Sequence, residues 1–210
     1  PKDPVCDRKL GDFLEGRLGV LAAGRLSLEK GFQDLVVAMR LVVDEIPDAR
    51  LVIAGEGPQR SVLEALTREL ALDEHVLLPG YIANVRASMH LFKLYALSSY
   101  TEGLPAVILE AMAEGLPIVA TEVGDVPQVL DCGAAGWIVS PGKSEQLGRT
   151  LLGALILGNA LPHLFALTDG GDWRSTVMMA SAAAIASGFV AQLASLGPHH
   201  ARASRFDPRV

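Results

Sequence analysis

The stretch LYALSSYTEGLPAVILEAMAEGLPIVAT, residues 94–121, contains one whole β–α–β unit. Leu94–Leu97 is a short apolar run of buried-strand length. Ser98 to Gly103 is polar and ends in glycine, which marks a loop. Leu104–Glu114 predicts a helix, with Pro105 in its first turn, where a missing N–H costs little, and Gly115 at the C-cap. Pro117–Thr121 predicts the next strand. Strand, loop, helix and strand in so few residues leave a crossover between parallel strands as the economical reading.

The same alternation runs outward on both sides. Upstream, Leu18–Ala23 reads as a strand closed by Gly24. Phe32–Ile46 reads as a helix, with Leu35, Val36, Met39, Leu41, Val42 and Val43 near helical spacing and Pro47 closing it. Leu51–Ala54 is a strand ended by Gly55-Glu56-Gly57-Pro58, Gln59–Leu72 an amphipathic helix, and His75–Leu78 a strand closed by Pro79-Gly80. Asn84–His90 is a short helix and, downstream, Gly136–Val139 a last strand. Six strands with short connections and right-handed crossovers predict an α/β fold, a Rossmann-like doubly wound parallel sheet. The expected organisation is a linker over 1–16, the α/β domain over 17–145, and a tail over 146–210.

The tail is set apart by composition. Of 42 charged residues only seven lie beyond Arg149, and the runs 150–168 and 175–201 contain no Asp, Glu, Lys or Arg. Each run is long enough to cross a ~30 Å hydrocarbon core, and Arg202 and Arg205 then supply a basic flank. Two readings stay open: a membrane hairpin, giving contact through 150–197, or two Ala-rich helices packed on the sheet domain. The formal charge of −6 and pI near 5.3 argue against a nucleic-acid footprint. Cys6 and Cys132 fit no metal or disulfide framework and suit a reducing compartment. No charged stretch leads into an apolar run at the start, so a cytoplasmic chain without signal peptide is expected, associated with membrane if the tail inserts. Without an initiator Met it reads as a fragment.

Ligands of an open parallel sheet bind beyond the carboxyl ends of its strands. Gly24 and Gly55 close the first two strands there, where backbone can come close to a ligand. The loop GRLSLEKG, residues 24–31, carries Arg25 and Lys30 and suits a diphosphate, because Arg offers a planar fork and Lys a point charge. A solvated turn explains the same residues. In residues 98–105, the Gly103 and Leu104 amides sit at a helix N-terminus, a ready anion site. Glu102 and Glu110 stand eight residues apart, so they can grip different parts of one extended ligand. A capping carboxylate and a surface Glu are the alternative.

Four segments in this order, GRLSLEKG (24–31), LVIAGEGP (51–58), VLLPGY (76–81) and SSYTEGLPAVILEAMAEGLPIVATEVGDVP (98–127), closely resemble the retaining GT-B glycosyltransferases. The similarity is to their C-terminal, donor-binding half, of the group 1 or family 4-like type. This resemblance implies that Arg25 and Lys30 hold the donor's diphosphate and stabilise the leaving nucleoside diphosphate, in place of a metal. Glu110 would accept the ribose hydroxyls and Glu102 those of the transferred hexosyl group. The backbone of Gly103, Leu104 and Pro105 would cradle the β-phosphate or sugar, with Tyr81 and Ile82 bordering the base. No cofactor is implied beyond the nucleotide-diphosphate sugar itself, which is UDP-, GDP- or ADP-linked. The acceptor, a glycan, lipid or small molecule, would be held by an N-terminal domain that should precede the chain, so weak donor binding and little transfer are expected of this polypeptide alone.

Two positions depart from the family. Gln128 stands where a Glu is common and His90 where an Asp is usual. The tail, with GNALPHLF and GGDWRSTV, weakly resembles a helix pair of a major facilitator superfamily transporter. A non-catalytic nucleotide-sugar-binding module is the runner-up function, and a sugar-phosphate epimerase of GT-B architecture a third. The pairing of Glu102 and Glu110 with Arg25 and Lys30 favours the transferase over the epimerase.

Overall fold

The computed structural model describes residues 4–165. Six parallel strands form one sheet in the order β3-β2-β1-β4-β5-β6. They are β1 (Leu18–Ala23), β2 (Ala49–Ala54), β3 (Val76–Gly80), β4 (Leu94–Leu97), β5 (Ile118–Thr121) and β6 (Trp137–Val139). β2, β4 and β5 are buried along their whole length, which explains why, Arg50 near the start of β2 apart, they read as apolar runs instead of alternating. The helices are α1 (Pro4–Leu14), α2 (Phe32–Glu45), α3 (Arg60–Glu69), α4 (Val85–Ser88), α5 (Ala106–Ala113), α6 (Val126–Val129) and α7 (Ser144–Phe165). They cover both faces and divide the core in two. One half centres on α2, with Leu35, Met39 and Val42 packed on Leu51 and Ile53. The other gathers Leu21, Tyr95, Ile108 and Leu130. This is the doubly wound, Rossmann-like sheet expected. Its topological switch point falls between β1 and β4, where the chain leaves the sheet in opposite directions.

Several boundaries differ from expectation. α5 starts at Ala106, and Pro105 is its N-cap with an extended backbone, outside the first turn. The Gly103 and Leu104 amides therefore stand in the approach loop, ahead of the helix. Proline disfavours helical backbone in the residue before it, which holds Leu104 out of the helix. β3 continues through Pro79-Gly80, with Gly80 opposite Ala54 after a register shift. The edge position of β3 tolerates a proline that cannot donate.

The expected linker over 1–16 is a helix from Pro4 to Leu14, with Leu10 and Leu14 buried against the Tyr95 side of the core. Leu10, Phe13 and Leu14 form one stripe at i, i+3 and i+4, too short to stand out as periodic. The composition break near residue 146 is no structural boundary either. α7 is continuous from Ser144, and Leu147, Leu151, Ala154 and Leu155 are buried on α2 and the sheet. A Cβ at Gly148 would stand 2.9 Å from the Ala38 carbonyl oxygen, so the two helices meet almost backbone to backbone. The front of the charge-free run 150–168 thus completes the α/β core. Among the described residues no helix is long and apolar enough to cross a membrane. The second run, 175–201, lies outside the described residues.

Candidate functional site at the switch point

The loops after β1, β2, β3 and β4 are joined along the carboxyl edge of the sheet. Gly24 N donates to Ala54 O at 2.9 Å, Gly55 N to Gly80 O at 2.8 Å, and Leu26 N to Glu56 O at 2.9 Å. A Cβ on Gly55 would fall inside the Gly24 carbonyl, and its φ of 151° lies in the range that favours glycine. The site thus needs Gly55 for the closeness of two loops. The loop after β1 is tied equally to the loop after β4: Tyr100 N donates to Glu29 O at 2.8 Å and Ser98 Oγ to Lys30 O at 2.9 Å.

Between these loops and α5 lies a cavity of about 540 Å³. Gly24, Arg25, Gly55, Tyr81, Ile82 and Glu110 all line it. Six residues chosen from separate segments thus face one space. Arg25 and Glu110 bring charges of opposite sign, while Val107 on α5 adds apolar wall. Tyr81 is 75 % exposed, its ring available for contact at the rim.

Lys30 and Glu102 do not line this cavity. They face each other beside it, with Lys30 Nζ 2.6 Å from Glu102 Oε1. Ser99 Oγ donates to the same oxygen at 2.6 Å, and Thr121 Oγ1 on β5 donates to Ser99 O at 2.7 Å. Ser98, Ser99 and Thr121 are among the few buried polar side chains, and each is satisfied by these bonds. Gly103 and Leu104 are exposed, and a Cβ at Gly103 would meet nothing within 4 Å. Pro105 is buried. Asp125 N closes on Gly103 O at 3.2 Å, so this loop is braced by the loop after β5.

Some cavity residues escaped the sequence reading. Arg86 on α4 lines the space, and its Nε lies 2.8 Å from Oε1 of Glu114, the C-cap of α5. The Glu114 hydrogen bond and charge raise its pKa, so the guanidinium stays cationic. Asn84 caps α4, accepting from Ala87 N at 3.3 Å, and also lines the cavity. Both stand in a stretch legible only as a short helix. Their role depends on α4 lying across from α5, which no local pattern carries. Tyr95, on β4 at the switch point, is fully buried, and its hydroxyl has no hydrogen-bond partner among the described residues. Burial pushes that phenol far above its usual range, so it stays neutral.

Known proteins decide the family. A model of the family "Glycosyl transferases group 1" matches residues 8–161, most of the chain. The chain belongs to the glycosyl transferases group 1 family. The match begins inside α1 and ends inside α7, so both helices count within the family domain. A 2-deoxystreptamine N-acetyl-D-glucosaminyltransferase of Niallia circulans is 29 % identical over 141 residues, 66 % of this chain and 36 % of that protein. An N-acetyl-alpha-D-glucosaminyl L-malate synthase of Bacillus anthracis is 35 % identical over 115 residues, 55 % of this chain and 30 % of that protein. This group 1 chain spans about a third of the length of these relatives. Among solved structures, Anabaena HepE in complex with UDP and glucose superposes with a TM-score of 0.65 at 24 % identity, covering 89 % of this chain and 53 % of that one. A C-terminal domain of a group 1 protein from Francisella tularensis has a TM-score of 0.61 at 21 % identity, covering 90 % and 94 %. At such identities these likenesses establish the fold, a GT-B type Rossmann-like domain.

Proposed function

We propose that this chain is the donor-binding half of a retaining hexosyltransferase that draws on a nucleotide-diphosphate sugar. The observation that carries the proposal is the gathering of Arg25, Glu110, Tyr81 and Ile82 around one cavity at the switch point, with Lys30 and Glu102 at its side. A nucleotide sugar is a long ligand with a planar base, a hydroxyl-bearing ribose, a diphosphate and a second sugar. The site offers a matching series. Tyr81 and Ile82 border the base, chiefly through main chain, and Glu110 accepts the ribose hydroxyls. Arg25 and Lys30 meet the diphosphate, and Glu102 the hydroxyls of the transferred sugar. The exposed backbone of Gly103 and Leu104, ahead of the buried Pro105, lies free to approach the β-phosphate.

In this reading Arg25 and Lys30 do the electrostatic work of the reaction. As the glycosidic bond to the diphosphate breaks, negative charge grows on the leaving oxygens, and two cations beside them stabilise it more than the ground state. That is the role a bound metal plays in other glycosyltransferases, so the reaction is proposed as metal-independent. Orientation of an acceptor contributes separately to rate, and no acceptor site is assigned to the described residues. The chain alone is therefore expected to bind donor and transfer little. The solved relatives named with UDP support a nucleoside diphosphate as the shared ligand chemistry. A cytosolic setting is proposed with this donor. Contact of residues beyond 165 with membrane is a separate proposal, which flotation of the full chain with phospholipid vesicles would test.

The deciding experiment is calorimetric titration of the chain with UDP, GDP and ADP, beside a Glu110→Ala variant. One nucleotide is expected to bind and to weaken by about 1–3 kcal/mol in the variant, the range for losing hydrogen bonds to a charged group. Equal affinity in both proteins would remove Glu110 from the site. Brisk sugar transfer by the isolated chain onto an added acceptor would overturn the half-enzyme reading.

A further inference from the structure

Lys30 has two claimants. Glu102 holds its ammonium at 2.6 Å, in a pair whose side chains are only 23 % and 11 % exposed. The carboxylate is the less mobile partner. Its Oε1 also accepts from Ser99, whose carbonyl is pinned by Thr121. Lys30 is fixed only at its backbone, where its carbonyl accepts from Ser98 Oγ. Its stem runs along the end of β1: a Cβ at Gly24 would stand 3.3 Å from Lys30 Cε. Gly24 is itself a wall of the cavity. Rotation about the outer torsions of Lys30 can therefore carry the ammonium from Glu102 toward that wall without backbone movement.

We propose that Glu102 and the diphosphate of a bound donor exchange for Lys30, and that this exchange makes the site prefer an intact nucleotide sugar to the bare nucleoside diphosphate. The inference rests on the donor-site reading above and deepens it. A nucleoside diphosphate that recruits Lys30 leaves the Glu102 carboxylate, mostly shielded from water, with Ser99 as its remaining donor. An intact nucleotide sugar recruits Lys30 through the same diphosphate, with less negative charge, and brings hydroxyls that donate to the released carboxylate. The product of transfer thus binds against the restoring pull of the pair, and re-formation of Lys30–Glu102 drives its release. Glu102 then lowers product affinity while raising selectivity for substrate.

The test compares the full chain with Lys30→Ala, Glu102→Gln and the double variant. Each is titrated with whichever of UDP, GDP and ADP the unaltered chain binds, and with the corresponding glucose-linked donor. Gln at 102 keeps an acceptor for Ser99 and removes the charge. Glu102→Gln is expected to bind the nucleoside diphosphate more tightly, by roughly three- to tenfold, as suits removal of a half-buried pair. Its preference for the glucose-linked donor should shrink. In the Lys30→Ala background the tightening should vanish. Unchanged or weaker diphosphate binding by Glu102→Gln overturns the exchange, as does a gain that persists without Lys30, which would be simple repulsion. If Lys30→Ala binds as well as the unaltered chain, or no nucleotide binds at all, the donor-site reading fails and takes the exchange with it. Should the Gln variant not fold, Glu102→Asp withdraws the charge by one methylene, and a smaller tightening is expected; no tightening overturns the exchange.

Discussion

The two rims of the sheet each hold a sheltered cation, and they treat it differently. At the amino rim Arg50, on β2, is buried and lies against backbone carbonyls: its Nη1 donates to Pro47 O and Ala49 O at 2.9 Å and stands 2.9 Å from His75 Nδ1. Burial lowers its pKa, and nearby Asp48 and Glu74 partly offset that. At the carboxyl rim Lys30 is held by the carboxylate of Glu102. Carbonyls at the start of a strand cannot leave, so Arg50 is a fixture that ties the start of β2 to the start of β3. A side-chain carboxylate on a loop can be outcompeted by another anion. One rim is built to stay closed, and the other to trade partners.

The body beneath both rims gives the largest expected effect. Leu151→Ala removes a fully buried side chain where α7 meets α2. It should cost about 2–5 kcal/mol in urea unfolding, with nucleotide affinity unchanged at temperatures where the variant is folded. Loss below 1 kcal/mol would mean that α7 is not part of the domain body, and would restore the compositional boundary.

Arg50→Met sharpens the contrast between rims. It keeps the apolar stem and leaves the Pro47 and Ala49 carbonyls short of a donor, at an expected cost of about 1–3 kcal/mol. Nucleotide binding should not move, whereas Glu110→Ala should do the reverse, losing affinity with stability held. A fall in affinity for Arg50→Met would break the separation.

The smallest effect is a pH dependence at the carboxyl rim. Tyr100 donates to Asp34 Oδ2 at 2.7 Å, and Ser144 donates to Asp34 Oδ1 at 2.7 Å, so Asp34 joins the loop after β4 to α2 and α7. Burial, and then the Asp34 bond and charge, push the Tyr100 phenol from 10.0 up to about 12. A raised folded value means that the neutral phenol is favoured by folding. The stabilisation is complete below pH 10 and is lost as pH climbs toward 12. Tyr100→Phe should flatten the stability curve across that window and leave it parallel to the unaltered chain below it. An unchanged slope would show that the Asp34 bond contributes nothing.

Residues whose meaning is local were legible in sequence. Six apolar runs punctuated by glycine and proline read as parallel strands, because a strand buried on both faces leaves its apolar run unbroken. Gly24, Arg25 and Gly55 were legible at the site because each follows directly on a strand's carboxyl end, whereas Tyr81 and Ile82 came only with the family resemblance. Glu110 reached the cavity because α5 starts from that same rim. Arg86 and Asn84 were missed, since nothing within α4 announces that it faces α5 across a cavity. The helices at both ends were missed or misassigned for one reason. Their apolar stripes are short or diluted by small residues, and only the surface they meet makes them helices of this domain.

Local chemistry, then, determined the strand count, the parallel orientation and the presence of Arg25, Lys30, Glu102 and Glu110 in the loops and helix at the carboxyl rim, all of which depend on short-range spacing. Tertiary structure decided which charges share a cavity and which neutralise each other. Lys30 and Glu102 are 72 residues apart, and their pairing is set by the adjacency of β1 and β4. That adjacency is the crossing point of the doubly wound sheet, a property of the packed chain that no window of sequence contains.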